Sequence, residues 1–103
     1  MSSSSLVPKS FDLAGAKWSV VYKEGMQKGG ALGQTHPNSF EIWLDKSIVP
    51  EDLKAITFYH ELFHAMFHTL GKTELYQDEA LVDTLGSLMW QVIKTSKFDK
   101  EKS

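Results

Sequence analysis

The sequence predicts an α+β domain: a small three-stranded antiparallel sheet packed on a buried helix, with a second helix antiparallel to the first. Three observations carry this. Apolar residues alternate at period two in two segments of the first half. They recur at helical spacing through the second half. Pro50 and Gly71 bracket the more apolar of the two helical segments. At 103 residues and 11.6 kDa there is room for one hydrophobic core only.

Residues 1–12 open on a serine run and are expected as a flexible leader. They lack the charged start and apolar core of a secretory signal, so a cytoplasmic location is the expectation. The domain proper is expected over 13–95, with a charged, fraying tail at 96–103. In Lys17–Glu24, Trp18, Val20 and Tyr22 share one face of a strand. Glycines 25, 29, 30 and 33 mark a loop that leads into a short strand at Ala31–Thr35. His36–Ser39 reads as a turn, with His36 exposed, and Phe40–Asp45 alternates again, with Phe40, Ile42 and Leu44 on one face.

Proline suits a first helical position because its missing N–H would be unpaired there, so the first helix is expected from Pro50. Glu51 and Asp52 place negative charge against the positive end of its dipole. Apolar side chains from Leu53 to Leu70 surround this helix instead of forming one stripe, which marks a buried central element. Gly71 supplies the stop. A second helix is expected from Thr73 to about Lys94, carrying Leu75, Val82, Leu85, Met89 and Val92 at helical spacing.

Composition removes several function classes. A net charge of −2, from 11 basic and 13 acidic side chains, argues against charge-driven nucleic-acid or membrane-surface binding. No apolar run approaches the roughly 18 residues of a membrane span. With no cysteine, disulfides and thiolate zinc sites are excluded, so a metal would be held by histidine and carboxylate.

The central helix carries His60-Glu61-Leu62-Phe63-His64, the HExxH pattern. Chance produces it in on the order of a few chains per thousand of this length. Residues four apart stand about 6 Å apart on one helix face, so both rings can reach one ion. Glu61 sits about 60° around the wheel from His64, beside the metal position rather than on it. There it can take a proton from zinc-bound water, whose pKa falls to about 7.

Catalytic zinc takes three protein ligands. Candidates for the third are His68, Glu74, Asp78, Glu79 and Asp83. In a helical hairpin centred at Gly71–Lys72, His64 faces Glu79 and His60 faces Asp83. Glu79 is therefore the preferred third ligand, and Asp83 a carboxylate behind a ligand histidine that fixes its tautomer. Asp78 is the main rival, as ligand or as an N-cap if the helix starts late. His68 lies about 6 Å further along the helix, at the rim.

Phe40-Glu-Ile-Trp-Leu-Asp45, Ile56-Thr-Phe-Tyr-His-Glu-Leu-Phe-His-Ala65 and Glu79-x-x-x-Asp83 together resemble a minimal gluzincin metallopeptidase. The chain is similar to the ImmA/IrrE-like and phage-encoded small zincins over roughly residues 30 to 93. The resemblance implies a zincin-like fold and a zinc endopeptidase whose substrate lies along a strand bordering the cleft. It implies His60, His64 and Glu79 as Zn2+ ligands, Glu61 as general base, and a host-cytoplasm setting for a phage-encoded chain. Larger gluzincins bring an oxyanion-stabilising histidine or tyrosine from a second domain. A chain this short is expected to lack that domain. Tyr59, Tyr76 and His68 are the possible substitutes, and nothing in the sequence selects among them. The expected partner is a protein or peptide substrate, with no nucleic acid, no membrane and the oligomeric state open. The alternative is a catalytically weak or inactive metal-binding module that docks a protein partner.

Overall fold

The computed structural model describes residues 6–98; residues 1–5 of the expected leader and 99–103 of the expected tail lie outside them. Four strands come first: β1 (Ser10–Leu13), β2 (Ala16–Lys23), β3 (Gly33–His36) and β4 (Glu41–Asp45). The helices follow: α1 (Glu51–Thr69), the single turn α2 (Thr73–Tyr76) and α3 (Glu79–Thr95). The α+β class holds, but the three-stranded antiparallel sheet does not. Strand order is β1-β2-β4-β3, and β2 pairs with β4 in parallel while the outer pairs are antiparallel. The reason is burial. Ile42 and Leu44 of β4 have no accessible surface, whereas β3 is the polar Gly-Gln-Thr-His, suited only to an edge. Residues 24–32 carry the chain past the position of β4 to that edge.

The leader expectation also fails for residues 6–12. Val7 is buried, and Phe11 stacks on Trp18 at 6.1 Å and meets Phe58 edge-on at 5.8 Å. The β1–β2 hairpin turns through Ala14 and Gly15, at φ 51° and 85°. Two positive angles are what a two-residue turn of type I′ requires. Glycine adopts them freely, while alanine does so at a cost of about 1–2 kcal/mol. No Asn-Gly or Asp-Gly announced the turn, so the strand before it was hidden.

The ends of α1 obey local rules. Pro50 stands one place earlier than expected, as the N-cap, and Glu51 is the first helical residue. At the other end the Lys72 N–H donates to the Phe67 carbonyl and the Gly71 N–H to that of His68, with Gly71 at φ 73°. This is a Schellman closure, which favours glycine. Within α1, Ala55, Phe58 and Ala65 join Trp18, Ile42 and Leu44 of the sheet and Trp90 of α3 in one core.

The expected second helix is two. The chain breaks at Gln77–Asp78 and restarts where the Asp78 carboxylate accepts a hydrogen bond from the Leu81 N–H at 3.1 Å. That cap satisfies one of the unpaired donors of the new helix. Among the described residues no helix is long and apolar enough to cross a membrane.

Candidate metal centre

One helical turn sets the His60 and His64 rings side by side, with centroids 5.0 Å apart. The first residue of α3 closes over them: Glu79 Oε1 lies 3.1 Å from His60 Nε2 and 3.3 Å from His64 Nε2. One ligand atom from each residue falls within 4.8 Å of the others, and this is the one such group among the described residues. One turn further along α3, Asp83 Oδ1 stands 3.5 Å from His60 Nδ1. Both cross-helix pairs expected from the hairpin are therefore present, despite the break at Asp78. Asp78 itself is occupied as a cap.

The donor set suits a divalent ion of zinc type. Bonds of about 2.0–2.1 Å in a tetrahedron place ligand atoms about 3.3 Å apart. The two Glu79–histidine separations of 3.1 and 3.3 Å approach this, with all three ligand atoms inside 4.8 Å. Among the described residues the cavity around the group is lined by Glu61, Glu79 and Asp83 and by no lysine or arginine, so the site has carboxylate charge for a cation to neutralise. His64 Nδ1 is buried and has no hydrogen-bond partner among the described residues, while its Nε2 faces Glu79. An unsatisfied buried nitrogen costs about 1–3 kcal/mol, a burden characteristic of functional sites.

Glu61 faces the same cavity but is only 7% exposed. Burial pushes its carboxyl above the ordinary glutamate range, against the Thr35 hydrogen bond and the neighbouring histidines, which pull it down. The Thr35 hydroxyl lies 2.7 Å from Glu61 Oε1 and 2.9 Å from the Glu61 carbonyl. Two residues back, a Cβ on Gly33 would meet Thr57 Cγ2 at 2.8 Å and Glu61 Cγ at 3.0 Å. Only glycine lets β3 come this close to α1.

The cleft between β3, α1 and α3 encloses about 840 Å³. It separates the three possible oxyanion donors. Tyr76 lines the cleft, its ring 5.1 Å from that of His64. Tyr59 packs instead on Phe58 and Trp90 in the core and does not line the cleft. His68 is exposed beside Tyr76 at 5.9 Å, outside the lining. His36 was expected to be simply exposed. It is half-buried, stacks on Trp43 at 3.9 Å and lines the cleft. Sequence reasoning missed Gly33, Thr35 and His36 at the site, since an edge strand four residues long announces no partner.

The two acidic residues at the start of α3 are separable by experiment. Glu79→Ala is expected to weaken zinc binding at least tenfold with little change in metal-free stability. Asp78→Ala should keep zinc and cost about 1 kcal/mol through the lost cap. Zinc titrations and urea melts of both variants check this; reversed effects would exchange the roles. No protein-family model, curated protein or solved structure matches the chain.

Proposed function

We propose that the chain is a zinc-dependent endopeptidase with a zincin-like, gluzincin-type site. The observation that carries this reading is the convergence of His60 Nε2, His64 Nε2 and one Glu79 oxygen, with the buried Glu61 carboxyl beside them. Those three residues would hold zinc, which when bound supplies Lewis acidity toward water and a peptide carbonyl.

The chain's own groups do the rest. Glu61 takes a proton from the attacking water and passes it to the leaving amine. Its carboxyl faces the cavity and is held by the Thr35 hydroxyl, within reach of a water seated there. Asp83 steadies His60 through Nδ1. Tyr76 is held protonated into the alkaline range by burial and by the charges of Glu61 and Glu79, so its hydroxyl remains a donor for a developing oxyanion. β3 is a sheet edge that borders the cleft, which supports an extended peptide bound as an added strand.

The test is incubation of the zinc-loaded protein with a mixed proteome, followed by sequencing of chain ends. Reproducible new termini that vanish with chelator are expected. Capture of a protein without cleavage would replace the enzyme with a docking module.

A further inference from the structure

We propose that Thr35 is a positioning residue for Glu61, holding Oε1 so that Oε2 is the oxygen that takes and returns the proton. The inference rests on the peptidase reading for the identity of the base. The local geometry stands apart from that reading. β3 engages Glu61 through the single Thr35 hydroxyl proton, shared between Oε1 at 2.7 Å and the main-chain carbonyl at 2.9 Å, and by the close approach of Gly33.

With Oε1 occupied by the Thr35 hydroxyl at 2.7 Å, Oε2 is the oxygen left open to take a proton. A Cβ on Gly33 would sit 3.2 Å from that second oxygen, Oε2. The missing side chain leaves room around it. Thr35 and Gly33 are two apart on one strand and so present the same face to α1, one as a donor and one as a gap. Thr35 pairs with Ile42 of β4, and Ile42 has no accessible surface, so the hydroxyl is delivered by a strand anchored in the core.

In the reaction an O–H bond of water breaks as its oxygen bonds the peptide carbon, and the proton passes to Oε2. The C–N bond then breaks, and the same proton moves to the amine nitrogen, restoring the carboxylate. Thr35 keeps its own proton throughout. Its role is to forbid rotations of the carboxyl that would turn Oε2 away.

Thr35→Val preserves size and strand preference while deleting the donor. Its kcat is expected to fall roughly 10- to 100-fold, as for other small misplacements of a reacting group, with KM and zinc content unchanged. Thr35→Ser should restore most of the loss. A second readout is independent of turnover: in the metal-free protein, Thr35→Val and Glu61→Ala should be non-additive in urea unfolding. A Val variant as fast as the parent, a change in KM alone, or strictly additive unfolding losses would each overturn the proposal. If the parent cleaves no peptide, the peptidase reading fails, and the unfolding cycle still decides whether Thr35 and Glu61 are coupled.

Discussion

Glu61→Gln is expected to bind zinc like the parent and to lose peptide cleavage by about 10²–10⁴-fold. Glutamine keeps the shape of the side chain and still offers Oε1 to Thr35, so the cavity is undisturbed. It cannot take a proton from water. The same substitution should reveal the energetic cost of the buried carboxyl in the metal-free protein. Desolvation is the largest influence on Glu61 and raises its pKa on folding. A group that binds its proton more tightly when folded makes stability fall as pH rises from the unfolded carboxyl pKa through the folded one. Metal-free Glu61→Gln should therefore be more stable than the parent at neutral pH and equal to it in acid. Urea midpoints across a pH series measure this. Undiminished turnover in the variant would remove Glu61 as the base, and a stability gap that ignores pH would remove the desolvation argument.

Gly86→Ala is expected to loosen both the fold and the metal site. Helix propensity alone predicts a gain of about 1 kcal/mol, since alanine is the better helix former. The Cβ, however, would sit 2.9 Å from the His60 backbone nitrogen and 3.0 Å from its Cα. These are backbone atoms of a helix pinned against the sheet, so no side chain can rotate out of the way. Overpacking of this kind costs about 1–3 kcal/mol, and here it outweighs propensity. The added volume pushes α3 off α1, and Glu79 and Asp83 travel with α3 away from His60 and His64. Zinc affinity should drop about 10- to 100-fold. Gly29→Ala is the control, because nothing lies within 4 Å of a Cβ there. Thermal melts and zinc titrations of both variants provide the check. A Gly86→Ala protein that melts higher than the parent would show that the helices are not in forced contact.

The helical half of the molecule was far more legible than the sheet. His60, Glu61 and His64 are related by helical spacing alone, so their common face follows from local geometry. The same holds for Gly71, whose positive φ closes α1. Glu79 and Asp83 were found by counting across a short connection, and the count survived the break at Asp78 because the cap restarts α3 antiparallel to α1. Strand partners could not be counted in this way. Nothing in Gly33–His36 says that it borders Glu61, and nothing in Phe40–Asp45 says that it lies parallel to β2.

The amino-acid order by itself therefore determined the α+β class, the buried helix with its glycine stop, and the His60, Glu61 and His64 constellation with Glu79 opposite. Only the tertiary structure decided the strand order, the inclusion of Val7 and β1 in the fold, the choice of Tyr76 over Tyr59 at the cleft, and the grip of Thr35 on Glu61. The division has one physical cause. Helical relations are set within four residues by backbone geometry, whereas strand pairing and side-chain encounters across 26 residues are selected by which apolar surfaces the whole chain can bury together.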